Sequence, residues 1–274
     1  MSSKMERRLA GEAPRQVVAT DRRRWAGLIV LCVALFLEAM NLSSISVQIP
    51  AISEGLHLST ATAQFLVSTY LVSYAGFLLL GGRISDLVSR RLVFISSIAL
   101  FGLASLAAGL AGNPALLIAA RAVQGIAAAF TTPAAMSIIT TTFAEGPERN
   151  KALGIYSMIG ASGFAIGAVL AGVLTSWLNW RWGFFDYVIV TILVIVLTPV
   201  LVAKSNRPSS ATRGIDIAGA LSVTAGLLIL VYTVGEAHIA AVGQTLAGLA
   251  LAIILLVVFV VIEARVRTPI LPLG

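Results

Sequence analysis

The sequence predicts an all-α polytopic membrane protein, and three observations carry that prediction. Hydrophobic residues fill 58% of the 274 positions and charged residues only 11%, with a mean hydropathy of +0.96. Such a chain has too little polar surface to cover a soluble globule of its size. Eight apolar segments are each long enough to span a hydrocarbon core about 30 Å thick, which takes about 20 helical residues. The basic residues fall in the gaps between those segments and almost all on one side. A formal net charge of +7 in a soluble protein would suggest nucleic acid; distributed this way it sets topology, and nucleic acid is excluded as a partner.

Residues 1–24 form a polar tail carrying Lys4, Arg7, Arg8, Arg15, Arg22, Arg23 and Arg24. More than twenty apolar residues follow with no small-residue cleavage pattern, which marks a signal-anchor helix rather than a removable signal peptide. The predicted spans are 26–48, 61–82, 92–112, 115–141, 152–177, 184–203, 215–235 and 240–262. Pro50, the run from Gly81 to Arg91, Asn113 with Pro114, the run from Glu145 to Lys151, and the run from Lys204 to Arg213 mark the breaks. Of the 19 Lys and Arg, seventeen share one side, Arg181 lies on the other and Arg121 lies within a span. Positive-inside orientation therefore predicts a multi-pass cell-membrane protein with both termini cytoplasmic. The organisation expected is a cytoplasmic basic tail (1–24), a six-helix bundle (25–203), a cytoplasmic linker (204–213), a two-helix hairpin (214–263) and a cytoplasmic stub (264–274). Spans 1 to 6 would accommodate two inverted three-helix units, although no repeat is visible as sequence identity.

Chemistry is expected inside the bundle. A charge at the bilayer centre costs roughly 2.5–3.5 kcal/mol on insertion scales and is kept where it meets a partner or water. Arg121, Gln124, Gly125, Ala128 and Thr132 fall within about a 100° arc of the fourth span, a face suited to line an interior; the alternative is a side chain that snorkels to the outer interface. The first span offers Glu38, Asn41, Ser44 and Gln48 on one side. Glu38 lies about 18 Å from the cytoplasmic end at 1.5 Å per residue, and Arg121 reaches a similar depth, so the two could meet. A carboxyl whose distance from an arginine changes with conformation binds and releases a proton; the alternative is a permanently neutral Glu38 that bonds a neighbouring helix. Cys32 is the single cysteine and permits no intrachain disulfide. No nucleotide-binding loop, nucleophile elbow or metal-ligand spacing appears, and His57 and His238 are solitary. No catalytic residue, metal or cofactor is expected, and the chain does not read as an enzyme.

Several strings resemble one family. Gly81-Gly82-Arg83-Ile84-Ser85-Asp86-Leu87-Val88-Ser89-Arg90-Arg91 resembles the signature loop of the major facilitator superfamily, with Gly82, Asp86, Arg90 and Arg91 matching and Leu87 and Ser89 departing. In the family this charged turn latches the two halves of the transporter. Arg121-Ala122-Val123-Gln124-Gly125 is similar to the fourth-helix motif of the proton-coupled members. The stretch from Leu37 to Pro50 resembles the first helix of drug:proton antiporters, with Asn41 standing where an acid is expected. Gly163, Gly167 and Ala171 recur every four residues in the fifth span, a pattern that permits close helix approach. Gly167 and Gly172 match the family's antiporter motif, whereas Ala168 and Ala171 replace its proline and a glycine; packing without a transport role is the alternative. Trp180-Arg181-Trp182, the stretch from Gly214 to Ala220, and the stretch from Arg265 to Pro269 resemble the fourteen-span drug:proton group. Asp186 reads as an interface acid paired with Arg181.

The resemblance implies a major-facilitator-type six-helix N-terminal bundle plus an additional two-helix hairpin, with the C-terminal bundle absent. It implies proton-coupled efflux of hydrophobic or cationic small molecules, driven by a proton gradient and without cofactors. Glu38 and Arg121 would couple protons, Asn41, Gln48 and Gln124 would line the cavity, and Gly82, Asp86, Arg90 and Arg91 would gate. Gly163, Gly167 and Gly172 would pack helices. A second polypeptide or second copy would supply the missing bundle. Two other readings stay open: a facilitator or uptake transporter without proton antiport, and a non-transporting truncated protein or partner subunit.

Overall fold

A backbone in lipid must satisfy its N–H and C=O groups within its own segment, so each apolar run becomes a helix. The computed structural model describes the backbone over residues 3–204, 217–236 and 242–265, and side chains over 21–204, 222–234 and 242–262. Among these residues the chain forms eight helices: α1 (Ser3–Leu56), α2 (Thr60–Leu87), α3 (Arg90–Gly109), α4 (Pro114–Thr142), α5 (Pro147–Trp177), α6 (Trp182–Leu201), α7 (Ile217–Glu236) and α8 (Val242–Arg265). Seven contain segments long and apolar enough to cross a membrane; in α7 the apolar segment with described side chains, Ser222–Val234, is shorter. The linker from 205 to 216, His238 and the stub from 266 lie outside the described residues.

The helix ends follow local chemistry. The Ser59 and Asn113 side chains accept from the Thr62 and Leu116 N–H groups, capping α2 and α4. Pro114 and Pro147 sit in the first turns of α4 and α5, where the missing N–H costs nothing. His57, at φ 53°, ends α1, and the Leu58 N–H bonds the Ser53 carbonyl at 2.9 Å, the 6→1 closure of a Schellman turn.

Three boundaries differ from expectation. Helix α1 begins at Ser3, so residue 24 is not a break in the backbone; the tail is rich in Ala, Arg and Glu, which favour helix. Pro50 lies inside α1 instead of ending it, at an exposed position, as is Ser46, whose carbonyl loses its donor. The Gly81 to Asp86 stretch is helical, and the turn shrinks to Val88 and Ser89.

The packing shows the symmetry that sequence identity hides. The most extensive contacts are α1 with α5 and α2 with α4, joined by α3 with α4, α1 with α6, and α3 with α6. This pattern is unchanged when α1 is exchanged with α4, α2 with α5 and α3 with α6. The exchanged helices run in opposite directions, so the six form two inverted three-helix units. The glycines repeat the relation. A Cβ on Gly163 of α5 would strike the Phe36 carbonyl and Cα of α1; one on Gly81 of α2 would strike the Ala129 carbonyl and the Phe130 Cα of α4. Pro133 removes the donor that the Ala129 carbonyl would otherwise have, and the Gly81 backbone approaches that freed oxygen.

Gly167 also meets α1 closely, at Met40 and Ser43. Gly172 does not belong with it: a Cβ there would make ordinary contact with Val47 at 3.8 Å, because it lies about 140° around α5 from Gly167, off the buried face that Gly163, Gly167 and Ala171 share. Gly82 likewise has open space around its Cα, since it points off the α2/α4 seam that Gly81 occupies. The hairpin of α7 and α8 lies along α2, where Leu228 covers Gly76 and Tyr232 meets Phe65 edge-on at 6.3 Å.

Gly81→Val is expected to lower stability by about 1–3 kcal/mol through overpacking, whereas Gly82→Val and Gly172→Ala stay within about 0.5 kcal/mol. Thermal unfolding of the three variants in one detergent measures the difference.

Candidate functional site

Arg121 is fully buried within the bundle (0% exposed), not turned to the interface. One guanidinium nitrogen donates to the Asn41 Oδ1 at 2.6 Å and to the Gln124 Oε1 at 3.0 Å, and Nε donates to the Leu66 carbonyl at 3.4 Å. The guanidinium stacks 4.6 Å from the centre of the Tyr70 ring. Gln124 passes the chain on, its amide donating to the Ser105 hydroxyl at 2.8 Å. Four helices, α1 to α4, thus converge on one cation. Its second terminal nitrogen is buried with no hydrogen-bond partner among the described residues.

A second polar string runs beside it. Tyr187 of α6 is within hydrogen-bond distance of Ser44 at 2.9 Å, and Ser44 donates to the Met40 carbonyl at 2.6 Å and the Gly167 carbonyl at 3.2 Å. Gln48 is buried against Gly183, where any side chain would collide with its amide.

Glu38 stands apart from both strings. Its Oε2 accepts from the Thr132 hydroxyl at 2.7 Å, while Oε1 is buried without a partner among the described residues. A cavity of about 200 Å³ opens beside it, lined also by Leu42, Tyr70, Leu71, Tyr74 and Thr132. Tyr70 and Tyr74 stack on one another at 6.4 Å, one turn apart on α2. Glu38 lies two residues after Phe36, and Thr132 two after Phe130. The pair thus bridges α1 and α4, the two helices that the inverted relation exchanges, close to the glycine contacts at Phe36 and Phe130.

These positions correct two expectations. Glu38 and Arg121 do not pair: among the described residues the ion pairs are Arg24 with Asp21 and Glu148, and Arg149 with Glu145. The register explains it, because Thr132, which faces Glu38, lies eleven residues beyond Arg121, about 16 Å along α4. The guanidinium takes the neutral Asn41 one turn away instead. Asn41, Gln48 and Gln124 do not line the Glu38 cavity; each is at most 1% exposed, sealed in the interior by hydrogen bonds or packing.

The charged turn is open. Asp86 is exposed at the last turn of α2 and makes no ion pair among the described residues, while Arg91 donates to the Val202 carbonyl at 3.1 Å. Buried nitrogens of Arg83 and Arg90 lack partners among the described residues. An acid at a helix C-terminus and arginines at a helix N-terminus both oppose the macrodipoles. Asp186 is not paired with Arg181, which instead donates to the Gly109 and Ala111 carbonyls at 2.9 and 2.6 Å and stacks on Trp180.

Tyr70, Tyr74, Ser105 and Tyr187 were not singled out from the sequence. The i, i+4 spacing of Tyr70 and Tyr74 within an apolar span was a usable signal; Ser105 and Tyr187 carried none.

Comparison with known proteins adds to this geometry. The family model described as Major Facilitator Superfamily matches residues 31–265. The puromycin resistance protein pur8 of Streptomyces alboniger is 38% identical over 93% of this chain and 50% of its own length. The cephamycin export protein CmcT of Amycolatopsis lactamdurans is 40% identical over 89% of this chain and 51% of its own. The chain thus spans about half the length of these relatives. A crystal structure of the peptide transporter POT in complex with sulfate has the same fold, with a TM-score of 0.63 at 19% identity over 88% of this chain and 53% of that one.

The geometry predicts where energetic coupling lies. A double-mutant cycle between Arg121→Met and Asn41→Ala is expected to give about 1–3 kcal/mol, and one between Arg121→Met and Glu38→Gln less than about 0.5 kcal/mol. Unfolding of the four variants and the parent in detergent measures both.

Proposed function

Because the chain belongs to the Major Facilitator Superfamily, we propose that it forms one wall of a proton-coupled exporter of hydrophobic or cationic small molecules, in the cell membrane with both termini cytoplasmic. The observation that carries this reading is the Glu38 carboxyl, which faces a cavity with one oxygen bonded and the other free. A carboxylate at membrane depth without a counter-charge is expensive. A proton removes that cost, and so does a cationic substrate in the cavity. The two compete for one carboxylate, which is the physical content of antiport. The apolar lining and the Tyr70 and Tyr74 rings suit a lipophilic cation, and the printed functions of the two bacterial relatives, puromycin resistance and cephamycin export, support outward movement of small molecules.

In this scheme Arg121 positions rather than titrates. Its bonds to Asn41, Gln124 and the Leu66 carbonyl fix α1 and α2 against α4, and so hold the Glu38 cavity in register. Asp86, Arg90 and Arg91 act in the gate by meeting a facing bundle, supplied by a longer chain, a second copy or a separate polypeptide. The opposed macrodipoles and the exposed Asp86 support a surface that gains by being met. Transport without proton coupling is the second reading, favoured by Asn41, whose neutral amide occupies the arginine where the family resemblance expects an acid.

The test is proton release from vesicles holding the protein on addition of tetraphenylphosphonium. Glu38→Gln is expected to reduce release at least about tenfold, in line with loss of a proton-transfer group, and Thr132→Ala less. Undiminished coupled flux in Glu38→Gln refutes the assignment. Counterflow that ignores a pH gradient selects the facilitator, and absence of flux from the parent chain selects a partner subunit.

A further inference from the structure

A second cavity, of about 140 Å³, lies between the stretch of α1 from Arg23 to Leu31 and the C-terminal ends of α4 and α6, on the basic side of the bundle, where the transport scheme does not use it. Its floor is apolar, built from Leu28, Leu31, Ile138 and Phe143, and its rim carries Arg23 and Arg24. The cations around it are held by the fold. Arg23 Nε donates to the Val200 carbonyl at 3.2 Å and Arg91 to the Val202 carbonyl at 3.1 Å. Arg149 donates to the Thr140 and Phe143 carbonyls at 2.8 and 3.0 Å. These bonds neutralise the C-terminal carbonyls of α4 and α6 and leave the terminal nitrogens of Arg23 for another acceptor. Arg24 bonds Asp21 and Glu148, yet its Nε is buried in the cavity wall with no acceptor among the described residues. Lys151 lies 5.4 Å from the Trp25 ring, which packs on Phe143. Arg23, Arg24, Arg91, Arg149 and Lys151, which line the cavity or touch residues of its wall or Trp25 behind it, outnumber Asp21, Glu145 and Glu148, which pair with them.

We propose that this cavity binds an anionic phospholipid, with part of an acyl chain on the apolar floor and the phosphate against Arg23 and Arg24. The rim has no use for a neutral hydrocarbon, and the floor none for a free phosphate. A choline headgroup would bring its own cation against the arginines. The anionic lipid satisfies both parts, and a bilayer supplies it at the height of the rim.

The experiment is native mass spectrometry of the purified full chain with added dioleoylphosphatidylglycerol, dioleoylphosphatidylcholine or inorganic phosphate. Phosphatidylglycerol is expected to be retained at least about fivefold over phosphatidylcholine, and Arg23→Gln to remove about fivefold of that preference, the effect of one basic residue at an anionic surface. Thr142→Trp, which fills the cavity without touching the rim charge, is expected to abolish the preference. Equal retention of the two lipids overturns the proposal. So does displacement of phosphatidylglycerol by inorganic phosphate at equal concentration, which marks an anion site that does not read the chain. Wild-type preference in Thr142→Trp overturns it as well, whether or not Arg23→Gln folds.

Discussion

A guanidinium at membrane depth has to be hydrogen-bonded, and the bundle is arranged around the one it encloses. Arg121 draws an amide from α1, a carbonyl and a ring from α2 and, through Gln124, a hydroxyl from α3 onto α4. Its acceptors are neutral. Burying an ion pair means desolvating two charges, and the Coulomb gain repays that only with excellent geometry. Surrounding one cation with dipoles avoids the second desolvation, and it also leaves Glu38 uncommitted. A carboxyl locked to Arg121 would have served architecture alone.

Around that centre the helices are held by closeness. Lipid tails are as apolar as leucine, so helices in a membrane associate through van der Waals contact and hydrogen bonds more than through exclusion from water. Gly81 and Gly163 bring backbones together at equivalent seams of the two inverted units, and Ser44 reaches the Gly167 carbonyl across one of them. Pro133 makes the α2/α4 seam different from its counterpart, because it frees the Ala129 carbonyl at the point where Gly81 arrives.

Membrane residence and the helices were legible in the sequence because hydropathy and loop charge are local properties. The inward face of Arg121 was legible for the same reason: helical periodicity set it beside Gln124 and Gly125. Which residue Arg121 would meet was not legible. Depth counted along two helices ignores their register and the reach of an arginine, and a single turn separates the Asn41 it bonds from the Glu38 it was expected to face. The motif match at Gly82 also gave no sign that its neighbour Gly81 is the glycine that points into a seam. The inverted repeat was invisible as identity because it is conserved as a contact pattern, with glycine against backbone at two places and little else in common. Asp186 and Arg181 were paired by proximity in sequence, but the arginine spends its donors on the carbonyls at the end of α3.

The contact between Glu38 and Thr132 sets how many ionisable groups meet between α1 and α4. An acid on α4 in place of Thr132 would have brought two carboxyls face to face, sharing or repelling over a proton. With a hydroxyl in one unit, the same point in space keeps a single ionisable group and a fixed donor to orient it. The meeting of α1 and α4 at this point thus carries one carboxyl and one hydroxyl in place of two acids.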